Sequence, residues 1–514
     1  MVEAEYHQKL ISLILEGRVR DKLELQRSKI ELCRELGLSS VPPNSATLRW
    51  ADEEILPLLI PLLQRKPVRT LSGVAVVAVM TSPADCPHGR CIYCPGGVTN
   101  GSPQSYTGKE PAARRALRND FDPYRQTIDR IKQLEAIGHR TDKIDLIVMG
   151  GTFTKREPDY QQSFVKGCFD AMNGIHSNDL EDAHALNETA RHRCIGMTVE
   201  TRPDAFDDET ADLSMYMGTT RVEFGVQILD DDVLTGVERG HGIEEVAQAT
   251  KVAKKRGLKV CYHIMPGLPG SSPENDLECF RRVFSDTRFR PDMLKIYPTL
   301  VVKGTKLYEM WEHGEYLPYS TDQAAEVIAQ MKAIVPSYVR IQRIQRDIPV
   351  PLIEDGVDKG HLRQLVAERL AQMGGGCKCI RCREVGLLGL DPSEEEVQTE
   401  IMSYDASGGM EHFISFVLDE NGPLVGYARL RIEPKEDSLA RLRELKVFGR
   451  MAPLEPGSDE WQHKGFGKGL LEIAESISRE EGCREMHVTS GVGVRRYYAS
   501  LGYSRKGVYM SKRL

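Results

Sequence analysis

Apolar residues recur every three or four positions near the start of the chain. "EYHQKLISLILEGR" and "DKLELQRSKIELCREL" both carry this spacing, which predicts helices. "GLSSVPPNS" then ends the pattern with Gly and Pro punctuation. From Ser72 short apolar runs alternate with stretches of helical pattern such as "IEEVAQATKVAKKRG". The runs are "VAVVAVM" (74–80), "IDLIVMGG" (144–151), "IGMTVETRP" (195–203), "RVEFGVQ" (221–227), "KVCYHIMPG" (259–267) and "DMLKIYPT" (292–299). Six such units predict an α/β fold whose parallel sheet closes into a partial or full barrel. In barrels of this kind chemistry gathers at the C-terminal strand ends. Cys86, Gly150, Gly151, Thr152, Glu200, Gln227 and residues 266–270 fall there.

The pattern changes again after "MGGGCKCIRCREVGLLG" (373–389), which reads as a linker with a small site of its own. "HFISFVLDENGPLVGYARLRI" predicts a strand pair around the turn "DENG", and "LRELKVFG" predicts a further strand. "HKGFGKGLLEIAESISREEG" is a glycine-rich turn running into a helix. "REMHVTS", "VRRYYASLGY" and "GVYMSKRL" read as strand, short helix and strand.

Composition narrows the class. The chain has 514 residues, 40% apolar and 28% charged, enough for two or three domains with their own cores. No window approaches the roughly 20 apolar residues that a membrane span needs. The first residues carry acids and lack the basic start of a signal peptide, so the expected compartment is the cytoplasm. Twelve cysteines in that compartment suggest metal ligands or free thiols rather than disulfides. The net charge of −7 requires that any basic surface for nucleic acid be local.

Cys86, Cys91 and Cys94 form C-x4-C-x2-C after the first predicted strand. Three such thiolates can hold three irons of a 4Fe–4S cluster. The fourth iron is then open to the amino and carboxylate groups of S-adenosylmethionine. A zinc site completed by His88 or a distant residue is the plainer alternative. "MGGT" could offer backbone groups to the methionine amine, Glu200 in "VETRP" could meet the ribose, and "HIMPGLPG" allows close approach to adenine. Each of these taken alone is also compatible with an ordinary barrel turn. Gln462 to Leu470, "QHKGFGKGL", has the form Q-x-x-G-x-G at a helix start, where exposed N–H groups can cradle a pyrophosphate. With "ELKV" before it and "YYASLGY" after it, the order matches an acyl-CoA-binding acetyltransferase fold.

The sequence resembles the catalytic subunit of Elongator and its single-chain bacterial and archaeal relatives. "CPHGRCIYCPGG", "SYTGKEPAARRALRNDFDPY", "GHRTDKIDLIVMGGTF", "IGMTVETRPD", "RVEFGVQ", "MPGLPGS", "LKIYPTL" and "QHKGFGKGLLEIAE" carry the resemblance, which covers nearly the whole chain. It implies a radical S-adenosylmethionine domain, a partial (βα)6 barrel of the TIM type, joined to a GNAT-like α+β acetyltransferase domain behind a helical N-terminal segment. The expected division is 1–70 helical and tRNA-binding, 71–345 barrel, 346–392 cysteine-rich linker and 393–514 acetyl-CoA-binding. The implied substrate is tRNA, through the wobble uridine of its anticodon stem-loop. In the family's proposed mechanism an electron donor feeds the cluster and S-adenosylmethionine is cleaved. The resulting radical takes hydrogen from the methyl of acetyl-CoA, the acetyl radical adds to carbon 5 of uracil, and thioester hydrolysis leaves 5-carboxymethyluridine. No membrane is implied, and the oligomeric state stays open.

Carried over residue by residue, Cys86, Cys91 and Cys94 match the cluster ligands. Gly150, Gly151, Thr152, Glu200, Gln227 and Lys295 fall in the stretches expected to hold S-adenosylmethionine. Lys143 matches a family lysine assigned to acetyl-CoA; spacing alone would read it as a solvated lysine before a strand. Glu444, Leu445, Lys446, Val447, Gln462, Gly465, Phe466, Gly467 and Lys468 fall in the acetyl-CoA stretches. Tyr497 and Tyr498 are the candidates to reach the thioester, with a packed helix tyrosine as the alternative. The family often has histidine where this chain has Lys446, so no role that needs an imidazole carries over.

Cys377, Cys379 and Cys382 form a second group, C-x-C-x2-C, which suggests structural zinc with a fourth ligand from elsewhere. His361 is a candidate by proximity; free thiols or a second redox centre are the alternatives. Cys33, Cys168, Cys194, Cys261, Cys279 and Cys483 show no pattern and read as buried or incidental. Arg114, Arg115, Arg118 and Arg125 follow the cysteine loop, and Arg340, Arg343 and Arg346 recur every third residue as if sharing a helix or loop face. Both clusters could contact phosphates, although an arginine face is as often merely solvated. The competing functions are a protein lysine acetyltransferase, with Glu444 deprotonating an amine and a structural Fe–S domain, and a non-enzymatic RNA-binding scaffold.

Overall fold

The computed structural model describes residues 2–52, 54–64, 73–345, 348–390, 396–434, 439–448 and 465–514. Arg346 and Gln462 lie outside them. The first helices, Val2–Leu15 and Lys22–Leu36, follow the apolar spacing. The second starts where the Asp21 carboxylate accepts from the N–H groups of Leu23 and Glu24, and ends where Gly37 turns left-handed. Tyr6, Leu10, Leu25, Leu32, Leu59 and Leu63 form a core of their own, separate from that of the barrel.

Seven parallel strands follow, curled into an open barrel: β1 (Ala75–Met80), β2 (Lys143–Met149), β3 (Arg193–Thr201), β4 (Arg221–Gln227), β5 (Lys259–Ile264), β6 (Met293–Ile296) and β8 (Arg340–Ile344). They pair in chain order, so β1 and β8 are the two edges. A short pair, β7 (Val301–Val302) with β9 (Ile353–Asp355), lies outside that sheet. The seventh barrel strand corrects an expectation. Arg340 and Arg343 stand on β8, not on a helix or loop. Neighbours three apart on a regular strand face opposite ways. Here Lys295 pairs with Arg343 and Leu294 with Ile341, leaving Gln342 as a bulge that returns both arginines to one cavity.

The C-terminal sheet runs β10 (Gln398–Ala406), β11 (Gly409–Val417), β12 (Leu424–Ile432), β13 (Leu439–Val447), β14 (Glu485–Val488), β16 (Tyr509–Arg513) and β15 (Ser504–Lys506), in that spatial order. Only β13 and β14 pair in parallel, from Leu439–Glu485 to Leu442–Val488. Beyond Leu442 they part, and among the described residues no strand pairs with 443–447 on that side. The helix Phe466–Glu480 connects these strands and packs on β12 and β13.

This sheet is fastened to the N-terminal end of the barrel. The Asp292 and Glu411 carboxylates lie fully buried between the two domains. Arg443 donates to Glu411 (2.9 Å or less on each nearby carboxylate, 2.8 Å here) and to Asp292, while Arg429 reaches the Tyr338 carbonyl at 2.8 Å. Lys254 sits 3.7 Å from Asp292 and 3.5 Å from Glu411. Nearby, Gly491 passes so close to β3 that a Cβ would stand 2.2 Å from the Ile195 carbonyl oxygen. Gly491→Ala is therefore expected to force the domains apart locally and lower the melting temperature; an unchanged thermal scan would contradict this packing. Among the described residues no helix is long and apolar enough to cross a membrane.

Candidate functional site

The cysteine loop lies over the C-terminal ends of the barrel strands. Cys91 and Cys94 are buried and Cys86 is half-buried. Cys86 Sγ lies 3.4 Å from Thr152 Oγ1, and His88 Nε2 lies 3.3 Å from Cys91 Sγ. Sulfurs on one tetrahedral ion with bonds of about 2.3 Å would stand about 3.8 Å apart. Among the described residues, neither these thiols nor His88 belong to any trio of ligand atoms lying within 4.8 Å of one another. The set is too wide for one zinc ion and fits a polynuclear cluster in which each thiolate takes a different iron.

A cavity opens beside Cys86, and its walls include Gly151, Thr152, Glu200, Gln227 and Lys295. Gly150 and Gly151 turn the chain after β2 with φ of 124° and 86°. A Cβ on Gly150 would stand 2.2 Å from Thr81 Oγ1, so only glycine lets this turn close on β1. Gln227 ends β4 at φ 74°, a conformation that a non-glycine residue holds only under constraint.

Glu200 is already engaged. It accepts from Tyr106 Oη at 2.8 Å and from Lys295 Nζ at 3.2 Å. Lys295 also binds Glu223, which lies 2.9 Å from His263 Nε2 and 3.3 Å from Arg221 Nε. Burial works against the Lys295 charge, but Glu223, Tyr297 and Glu200 outweigh it and raise its pKa well above the ordinary lysine value. Glu223, His263 and Tyr106 were not singled out from the sequence. An acid and a histidine inside the apolar runs "RVEFGVQ" and "KVCYHIMPG" were the available signal, since a buried charge needs a partner.

At the acetyltransferase end, β13 presents Glu444, Leu445, Lys446 and Val447 just past the point where β14 leaves it. Gly465, at φ 83°, opens the helix Phe466–Glu480, and among the described residues no side chain caps this start. A pocket at this helix start is lined by Gly465, Phe466 and Lys468. The two tyrosines separate. A Cβ on Gly467 would stand 2.9 Å from Tyr497 Oη, so the Tyr497 hydroxyl lies against the helix start. Tyr498 is buried at 6% exposure, its ring packed on Tyr497 and Tyr503. Lys143 begins β2 at the barrel end where the acetyltransferase sheet docks, two residues before Asp145 on the same strand face.

A second, larger cavity runs from the barrel interior to Glu444 and Lys446. Arg and Lys clearly outnumber Asp and Glu along it, and it takes in Arg114, Arg115, Arg118, Arg340 and Arg343. Arg115 is buried and donates to the Ala78 carbonyl, and Arg340 pairs with Glu384 at 2.9 Å, so both also serve the fold. Arg114 and Arg118 are exposed, and Arg118 pairs with Asp129 at 2.6 Å. Arg125 stays outside this wall, paired with Asp120 at 3.3 Å. Glu200, Lys295, Met149, Ala112 and Arg343 line both cavities, so the two spaces share a wall.

Cys377, Cys379 and Cys382 do converge, with ligand atoms within 4.8 Å of one another. His361 is not in that group; it stands exposed at the N-cap position of the helix Leu362–Gln372 and makes no side-chain cap hydrogen bond there.

Four family descriptions match: the ELP3 N-terminal domain over 4–71, the Radical SAM superfamily over 81–283, its C-terminal domain over 291–372, and the Acetyltransferase (GNAT) family over 388–503. A tRNA uridine(34) acetyltransferase of Methanocaldococcus jannaschii is 49% identical, across 97% of this chain and 95% of the relative. The chain belongs to the Elongator complex protein 3 family. The bovine family member, from Bos taurus, is 40% identical across 98% of this chain and 96% of its own length. The solved structure of Methanocaldococcus infernus Elp3, lacking its N-terminus, superposes with a TM-score of 0.76 at 45% identity, covering 86% of this chain and 100% of that one. The family's two enzymatic folds, a radical S-adenosylmethionine barrel and a GNAT domain, are thus both present, as the resemblance implied.

Proposed function

We propose that the chain is a tRNA-modifying acyltransferase that builds a carboxymethyl group on carbon 5 of the wobble uridine. The wall that the two cavities share carries this reading. A radical site and an acyl site in one chain need a common substrate, and the shared wall at Glu200 and Lys295 is where one can be reached from both. A 4Fe–4S cluster on Cys86, Cys91 and Cys94, when bound, supplies the electron that opens S-adenosylmethionine to a 5′-deoxyadenosyl radical. Radical chemistry is needed because the polar route would join two nucleophiles, the enolate carbon of the thioester and carbon 5 of uracil.

The protein's own groups hold and orient. The turn Gly150–Thr152 lets backbone approach the methionine end of S-adenosylmethionine, and Gln227 walls the same space. The first N–H groups of the helix at Phe466 bind the pyrophosphate of acetyl-CoA through the positive end of the helix, with Gly467 leaving room for the thioester beside Tyr497. Lys143 faces the acyl group from the barrel side. Arg114 and Arg118 take tRNA phosphates at the mouth, and the wobble base is unstacked into the cavity, as base-modifying enzymes require.

Glu444 does not suit a lysine acetyltransferase. Burial works to raise its carboxyl, but Lys259, Arg429 and Lys446 outweigh it and hold it at about 2. A general base works best with a pKa near the operating pH. Glu444 instead accepts from Arg429 Nε at 2.9 Å and braces β13.

The test is anaerobic reconstitution with iron and sulfide, then reductant, S-adenosylmethionine, acetyl-CoA and tRNA, followed by nucleoside mass spectrometry. Carboxymethyluridine that disappears when S-adenosylmethionine is omitted is the expected result. Acetylated lysine with unmodified uridine would sink the proposal. The second cysteine group holds structural zinc. Elemental analysis is expected to find zinc in addition to iron, and Cys379→Ser to remove it and lower the melting temperature; a zinc-free protein of full stability would refute this.

A further inference from the structure

Arg239 is a buried cation with an unusual set of partners. It follows β4 in the segment 237–241, which is fixed to the cysteine loop: Ile92 N–H donates to the Val237 carbonyl at 3.2 Å. A Cβ on Gly240 would stand 2.8 Å from His88 Cβ, so backbone lies directly on the loop there. The Arg239 side chain is 7% exposed, and each of its nitrogens is aimed. Nη2 donates to the Gly225 carbonyl at 2.6 Å, Nε to His241 Nε2 at 3.1 Å, and Nη1 to Cys91 Sγ at 3.5 Å. Among the described residues it makes no ion pair with a carboxylate. Asp204, in the same neighbourhood, is taken by Arg202 through both oxygens, at 2.9 and 2.8 Å.

A guanidinium stays charged in any protein environment, and burying a charge without a counter-charge is costly. Neutral carbonyl and imidazole partners do not supply one, and a neutral thiol does not either. A cluster thiolate at Cys91 does. Resting on the cluster assignment above, we infer that Arg239 is the counter-charge of the iron–sulfur site and sets its reduction potential by donating to the Cys91 sulfur. Reduction adds one electron, from an external one-electron donor, and therefore one negative charge close to the guanidinium. A fixed positive charge and a hydrogen bond to a ligating sulfur both favour the reduced form, which raises the potential. Arg239 also lines the cavity beside Cys86; the part assigned to it here, acting on the cluster through the Cys91 sulfur, is that of a positioning and tuning residue.

The experiment is a redox titration of the anaerobically reconstituted full chain, followed by electron paramagnetic resonance, for wild type, Arg239→Met, Arg239→Gln and Arg239→Lys. Iron and sulfide are measured on each. A neutral variant that loads fully is expected to be reduced at least tenfold less favourably, a fall of about 59 mV for a one-electron couple, with Arg239→Lys falling less. Full loading with an unchanged potential in a neutral variant overturns the inference. If neither neutral variant holds iron while Arg239→Lys does, the counter-charge role stands, because charge is what divides the three. If all three lose iron, Arg239 is a packing residue and the inference fails. Failure of the wild type itself to load iron would strike the cluster assignment instead.

Discussion

Cys91→Ser is expected to reduce uridine modification to background while leaving acetyl-CoA binding unchanged. Thiolates, not hydroxyls, are the ligands of such clusters, and serine at this buried position keeps the size while removing the iron ligand. Acetyl-CoA binding should survive because the pocket at Phe466 belongs to the other domain. Nucleoside analysis and equilibrium binding on the same preparation separate the two effects. Modification that persists in Cys91→Ser would show that the loop does not hold the reactive cluster. Loss of both functions would show that the loop has a wider structural role.

The second large effect lies between the domains. Asp292→Ala leaves Arg443 and Arg429 buried without that carboxylate, and removing one partner of a buried pair costs about 3–5 kcal/mol. The first thermal transition should fall clearly, with the domains separating before either melts. The charge also predicts a pH dependence. Burial works against the Asp292 carboxylate, but Arg443, Lys254 and Arg429 outweigh it and hold its pKa well below the usual range. A carboxyl depressed in the folded state stabilises above its unfolded value, near 3.9, and that stability is lost as pH falls. Asp292→Asn should therefore be less stable at neutral pH and less steeply destabilised by acid below about pH 4. Equal acid sensitivity in the two proteins would mean that Asp292 is not the charge that matters.

The cysteine loop was legible because its signal is local: three thiols within nine residues carry their own spacing. The apolar barrel strands were legible because both of their faces are covered. β8 was not, because "RIQRIQ" repeats with a period near three that a bulge, not a helix, resolves. β10 escaped because it is an edge strand, mostly exposed, with little apolar pattern to read. Arg429, Arg431 and Arg443 alternate with apolar residues in the manner of a solvent-facing strand, yet that face is buried under the barrel. Only the partners, Asp292 and Glu411, reveal this, and they lie far away in sequence. Tyr497 and Tyr498 could not be told apart until the helix phase put one hydroxyl against Gly467 and the other ring in the core.

The central claim is that the barrel acts on the acyl group held by the other domain. Supplying acetyl-CoA with a deuterated methyl, together with S-adenosylmethionine, reductant and tRNA, tests it most directly. The account predicts 5′-deoxyadenosine carrying one deuterium, formed along with carboxymethyluridine. Carboxymethyluridine accompanied only by unlabelled 5′-deoxyadenosine would contradict it.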